Sequence, residues 1–234
     1  MSIKNTMKAH PILFSAAMIR ALIDGNKTQT RRVVKPQPEP NDKWEGGWFI
    51  NGKKSSFSIK HFNRFAELDI CPYGNPGDLL WVRETFQGPL IDEDAGMPEG
   101  TYTQKYCVYR ADVDNAPEFR DCDDNLKNCW KPSIFMPRWA SRLTLRITGV
   151  RVERLQEISE GDAKTEGAPF ELGALESTIL GAKAKYRSGF CRLWQSINGA
   201  DSWELNPWVW VIEFEVIQKN VNEVIGVNSA KEEK

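Results

Sequence analysis

The chain has 234 residues, 41% of them hydrophobic, and a formal net charge of -1. That is enough apolar material for one sizeable core carrying insertions, and the charge balance excludes a global field drawing the protein onto nucleic acid, so any such binding must come from a local patch. No run approaches the roughly 18 apolar residues of a membrane span, so no membrane partner is expected.

In chain order, residues 1–11 read as a loose arm before a first strand at Ile12-Leu13-Phe14. Ser15 can cap a helix through Asp24, with Met18, Ile19, Leu22 and Ile23 on one face. Gly25 is the expected helix stop. Then comes Gly25-Asn26-Lys27-Thr28-Gln29-Thr30-Arg31-Arg32, leading into a short strand from Arg32 to Lys35. Pro36-Gln37-Pro38-Glu39-Pro40 can be neither helix nor central strand. The polar segment that follows, to Asp69, reads as a hairpin excursion, which Trp44, Trp48 and Phe49 would fold back onto the body.

Pro72 to Asp78 is dense in turn residues and delivers a buried strand, Leu79 to Glu84. Residues 86–137 read as a second, irregular insertion, with acidic pieces at Asp92-Glu93-Asp94 and Asp121 to Asp124 and one strand at Lys105 to Ala111. Alternation from Leu143 to Leu155, interrupted at Gly149, predicts one long bent strand or two. Ser159-Glu160-Gly161-Asp162 is a capping box for a helix stopping near Gly167. Residues 168–182 are weakly patterned. Tyr186, Phe190, Leu193, Trp194 and Ile197 keep helical spacing until Gly199. In the last strand, Trp208 to Val216, the residues Trp208, Trp210, Ile212, Phe214 and Val216 share a face and Val209, Val211, Glu213 and Glu215 take the other. The polar tail from Gln218 is expected to fray. The whole reads as an α+β fold, one domain over 1–217 with insertions at about 36–70 and 86–137 and a tail at 218–234, whose sheet closes into a barrel.

The five cysteines, Cys71, Cys107, Cys122, Cys129 and Cys191, form no CxxC pair and only His10 and His61 accompany them. No zinc set is expected, Ser-His-Asp and Cys-His centres are weakened, and with no leader pattern the thiols are expected reduced in a cytoplasm. No GxxxxGK[ST] or GxGxxG occurs, and no cofactor is expected. The chemistry-bearing stretch is therefore the lysine–threonine segment. Lys27 and Thr30 stand three apart, which in a flat strand places them on opposite faces. They can serve one site only if the backbone turns at Asn26-Lys27-Thr28.

The order of motifs, from Gly-Asn-Lys-Thr-Gln-Thr-Arg-Arg through Pro-Gly-Asp-Leu-Leu-Trp-Val-Arg-Glu to the Ser-x-x-Asp-Ala helix, resembles the ASCH superfamily over about 12–35, 77–85 and 141–217. With its Met-Pro-Arg-Trp-Ala-Ser-Arg segment and Asn-Pro-Trp-Val-Trp-Val end, the chain also looks like phage and prophage proteins, which implies a bacterial host cytoplasm. The resemblance implies a PUA-like β-barrel with flanking helices. It also implies the chemistry of the small amidohydrolases that deacetylate N4-acetylcytidine with a lysine, a threonine three residues later and a glutamate on a later helix. Lys27 and Thr30 match the first two, and Glu166 matches the third by its place after the capping box. Lys27 would act as base for Thr30, and Glu166 would hold the ammonium or pass a proton to the leaving amine. Arg31, Arg32, Arg83 and Glu84 are candidates to bind substrate at one pocket mouth, with Trp139 as a stacking face. Two other readings remain open: a non-catalytic PUA-like module binding RNA or a modified base, and a phage accessory protein binding a protein partner through the insertions.

Overall fold

The computed structural model describes residues 7–41, 47–49, 57–58, 71–91, 101–120, 125–170 and 185–226. Its strands in chain order are β1 (Ala9–Leu13), β2 (Gln29–Val33), β3 (Glu39–Asn41), β4 (Gly47–Phe49), β5 (Phe57–Ser58) and β6 (Leu79–Arg83). They continue with β7 (Phe86–Gln87), β8 (Val108–Tyr109), β9 (Glu118–Arg120), β10 (Leu126–Asn128), β11 (Thr144–Arg154) and β12 (Trp208–Ile217). The helices are α1 (Ala16–Ile23), α2 (Glu160–Thr165), α3 (Lys185–Asn198) and α4 (Val221–Ile225). The fold is α+β. Its largest sheet runs β1–β6–β11–β12–β2, and among the described residues no ladder joins the edges β1 and β2, so the expected closed barrel is not found. No helix among the described residues is long and apolar enough to cross a membrane.

Two compact units divide the chain. The first comprises Met1–Asp24, Gly77–Arg146 and Glu215–Lys234. Here β1 and β6 pair in parallel and β6 meets the start of β11 antiparallel, opposing Leu80 to Leu145. Ser15 caps α1 as expected, accepting from the Met18 N–H. Its buried stripe narrows to Ile19 and Leu22, with Met18 and Ile23 half-buried. The second insertion is more ordered than its composition suggested. β7 pairs with β8, and Phe86, Tyr109, Met136 and Ala140 form a core cluster of their own. The acidic pieces 92–94 and 121–124 lie outside the described residues.

The tail corrects a second expectation. Asn220 is buried, accepts from the Asn222 N–H as the N-cap of α4, and donates through Nδ2 to the carbonyls of Ser141 (2.6 Å), Arg138 (2.9 Å) and Trp139 (3.2 Å). Val221 is buried beside it. A polar sequence is here tied down by hydrogen bonds instead of apolar area. Residues 227–234 lie outside the described set.

The second unit comprises Gly25–Pro76 and Ile147–Phe214. Its core cluster gathers Leu155, Ile158, Ala163, Phe190, Trp194 and Trp203 with Val209 and Val211 of β12. β12 is therefore buried on both faces from Trp208 to Ile212, which the assignment of Val209 and Val211 to a separate face did not anticipate. α3 carries Phe190 and Trp194 inward, but Ile197 is 54% exposed near the helix end and leaves the expected stripe. A Cβ at Gly189 would stand 2.1 Å from the Pro169 carbonyl oxygen, so α3 packs there against backbone. β11 is one continuous strand through Gly149, where a Cβ would stand 2.8 Å from Glu213 Oε2. The glycine makes room for a neighbouring carboxylate. The first insertion contributes the antiparallel sheet β3–β4–β5. Trp44, the side chains of Trp48 and Phe49, and residues 171–184 lie outside the described set.

Candidate functional site

The lysine segment is placed by two backbone devices. Gly25, at φ 73°, ends the α1 turn, so the reversal comes at Gly25 and the chain is already extended at Lys27, which forms an antiparallel bridge with Glu166. The Thr28 N–H donates to the Thr165 carbonyl and the Phe214 N–H to the Thr28 carbonyl, both at 2.9 Å. On the other side of the bridge, Ser159 caps α2 through the Asp162 N–H. Gly167, at φ 76°, stops that helix and leaves Glu166 as the C-cap. A helix C-terminus carries carbonyls with no partner inside the helix, and Lys27 takes one of them.

Lys27 is 0% exposed. Its Nζ donates to Glu166 Oε2 (2.8 Å), to the Glu166 carbonyl (2.8 Å) and to the Gln29 carbonyl (2.9 Å), so each ammonium proton has an acceptor. Glu166, 4% exposed, offers its other oxygen to Arg31 Nη1 at 3.0 Å. Arg31, 2% exposed, also donates through Nε to Glu153 Oε1 (3.0 Å) and through Nη2 to the same carboxylate, with Asp162 Oδ2 at 3.7 Å. Gln29, its amide oriented to satisfy its neighbours, accepts from Arg31 Nη1 (2.6 Å) and donates to Asp162 Oδ1 (3.1 Å). Outside these, Arg151 donates to Glu153 (3.0 Å), to Asp162 (3.4 Å) and to Glu213. The result is an alternating chain of charge from half-exposed Glu213 to buried Lys27.

Comparison with family models, with curated proteins and with solved structures finds no match. What the site can do is argued from its chemistry.

Burial lowers the Lys27 pKa from its ordinary value; the Glu166 carboxylate opposes that, and the charges of Arg32 and Arg31 add to it. Such a lysine releases its proton more readily than a surface lysine. Asp162 goes down as well. Burial pushes it up, but the Ser159 hydrogen bond, the charges of Arg31 and Arg151 and the Gln29 amide outweigh that. Strand alternation sets Gln29 and Arg31 on one face of β2 and Thr30 and Arg32 on the other. Thr30 is buried opposite Ile212. Arg32 is half-buried, and burial lowers its pKa against the opposing charges of Tyr73 and Glu166.

The remaining predicted residues belong to the first unit and have partners there. Glu84 is buried with both oxygens on Arg142, at 2.9 and 3.0 Å, while Arg142 also grips Asp112 and lies 4.0 Å from the Tyr109 ring centroid. Burial raises the Glu84 pKa and Arg142 holds it back. Arg83 donates to the Ile134 carbonyl and stands 5.3 Å over the Trp81 ring. Trp139 is half-buried and meets Tyr102 edge-on at 5.4 Å.

Of the predicted set, then, Lys27, Arg31 and Glu166 come together in one ion-paired cluster. Sequence reasoning missed Gln29, Arg151, Glu153, Asp162 and Glu213. The available signal was parity: Gln29 and Arg31, like Arg151 and Glu153, stand two apart on strands, so each pair shares a face. Among the described residues no group of three or more His, Cys, Asp or Glu side chains is placed to hold a metal.

Proposed function

We propose that the protein is an ASCH-type amidohydrolase acting on an N4-acylated-type pyrimidine nucleoside or nucleotide. The observation that carries this reading is the Lys27–Glu166 pair. Two residues 139 apart, matched separately on the resemblance, meet at 2.8 Å in a buried setting. In this reading neutral Lys27 takes the proton of the nucleophile and relays it through Glu166 to the leaving amine as the amide C–N bond breaks, and water then attacks the acyl group, releasing the acid and restoring the nucleophile. The nucleophile proposed from the resemblance is the Thr30 hydroxyl; alternation sets it on the face of β2 away from Gln29 and Arg31, and the Thr30→Val variant below decides between it and water.

The test is release of cytidine from N4-acetylcytidine by purified protein, followed by chromatography. Wild type is expected to turn over, Lys27→Ala and Lys27→Arg to be nearly inactive, since guanidinium stays protonated, and Thr30→Ser to keep measurable turnover. Turnover by Thr30→Val would transfer the nucleophile role to water. A Lys27→Arg variant at the wild-type rate would remove lysine as the base.

A specific observation favours a second reading. Lys27 is fully buried and all three of its protons have protein acceptors, as in a purely structural ion pair. A non-catalytic module that binds a modified base or RNA would look the same, and binding without turnover in every variant is its signature. A protein partner at the second insertion is supported separately by exposed Leu126, Ile134 and Phe135.

A further inference from the structure

Arg31 entered as a candidate substrate-binding residue, and its surroundings point elsewhere. Its guanidinium is 0% exposed and faces Glu166, Glu153, Asp162 and the Gln29 amide. A phosphate or carbonyl edge would have to displace buried carboxylates to reach it. The fork has a different geometric effect. Nη1 holds Glu166 Oε1 at 3.0 Å while Oε2 remains on Lys27 at 2.8 Å, so the carboxylate is fixed in the orientation that presents one oxygen to the lysine. Behind it, Glu153 receives Nε and Nη2 of the same guanidinium and is itself held by Arg151. Planar, two-point holding of this kind is what an arginine supplies and a lysine does not.

We propose that Arg31 is a positioning residue that orients Glu166 toward Lys27, with Glu153 fixing Arg31 from behind. Its consequence for turnover rests on the amidohydrolase reading; its consequence for the ion pair does not. Residues that orient a reacting side chain from outside typically contribute about 10- to 100-fold when removed, by analogy with the outer partners of metal ligands.

Two measurements on the full chain separate the outcomes. The first is hydrogen exchange of the Lys27 ammonium in the 15N-labelled protein at pH 6, assigned by its loss in Lys27→Arg. Wild type is expected to show a slowly exchanging signal, and Arg31→Lys one that exchanges at least about tenfold faster, because the charge stays while the fork is lost. Glu153→Gln, which touches neither Lys27 nor Glu166, is expected to change exchange in the same direction by a smaller factor, and it carries the test if Arg31→Lys does not fold. The second is the split between kcat and KM on N4-acetylcytidine. Positioning lowers kcat with KM little changed, whereas substrate binding by Arg31 raises KM. Unchanged ammonium exchange in both folded variants, or no slow ammonium signal in wild type, overturns the proposal, and so does a rise in KM alone. An inactive wild type with the exchange effect intact would defeat the amidohydrolase reading and leave the positioning role standing.

Discussion

Replacing Glu166 with Gln tests the buried pair directly. Glu166 faces Lys27 at 2.8 Å and Arg31 at 3.0 Å, with all three side chains at most 4% exposed. Removing one partner of a buried pair costs about 3–5 kcal/mol, because the remaining charge is left uncompensated. Two features move the expectation to the low end. The carbonyls of Gln29 and Glu166 still accept from Lys27, and Lys27 can escape the penalty by losing its proton. We therefore expect about 3 kcal/mol at pH 7, which for a chain of this size is a fall in Tm of about 6–12 °C. The pH dependence has a definite sign. Burial already places the folded pKa of Lys27 below its ordinary value, with Glu166 opposing. Between the folded value and the unfolded value of about 10.4, the unfolded chain binds more protons, so stability rises with pH. Loss of Glu166 lowers the folded value further and extends that window downward. Urea denaturation from pH 6 to 10 reads both effects. The difference between Glu166→Gln and Glu166→Gln/Lys27→Met isolates Lys27 from other titrating groups. A loss under about 1 kcal/mol at pH 7, the range of an exposed pair, or a difference showing Lys27 stabilising more as pH falls, would refute the reasoning.

Asn220→Ala is expected to cost about 2–3 kcal/mol, combining a lost helix cap with buried carbonyls left unpaired; thermal denaturation checks it, and a loss below about 0.5 kcal/mol would restore the frayed tail. Asp162→Asn addresses the acid limb. Since the folded pKa of Asp162 is depressed, its contribution is full above its unfolded value and is lost as pH falls through the folded one. The stability difference between wild type and Asp162→Asn, measured by urea denaturation, should hold steady above about pH 5 and shrink below about pH 4.

Local chemistry was legible wherever one residue decides one backbone event. Ser15 and Ser159 cap their helices, Gly25, Gly167 and Gly199 take positive φ at helix ends, and Leu79–Arg83 and Trp208–Ile217 are strands. Apolar patterning failed where packing comes from elsewhere. Val209 and Val211 are covered by α3 and its neighbours, a fact held in residues 186–203 and not in the strand itself. Asn220 was read as tail because its anchoring is by hydrogen bonds to distant carbonyls, which composition does not record. At the site, Lys27 and Glu166 were found through the resemblance, but their supporting charges were not. No motif marks Arg151 or Glu153, and Glu213 was assigned only to the strand face of Val209 and Val211. The turn expected at Asn26-Lys27-Thr28 was also displaced, since Gly25 completes the reversal before Lys27.

The distance along the chain between Lys27 and Glu166 has a consequence during synthesis. At about 5–20 residues per second, the 139 residues separating them leave the lysine waiting roughly 7–28 s before its carboxylate is even polymerised. Through that interval the ammonium must remain hydrated, since burying it alone would cost several kcal/mol. The partner of the adjoining strand β2, β12, is made later still, and the first unit in turn needs Asn220. Neither unit is complete on the ribosome until almost the whole described chain has been translated. The nascent protein therefore passes through a long phase in which early-made core residues such as Ile19, Leu22, Val34, Leu79 and Leu80 lack part of their final cover, the condition under which exposed apolar segments favour aggregation.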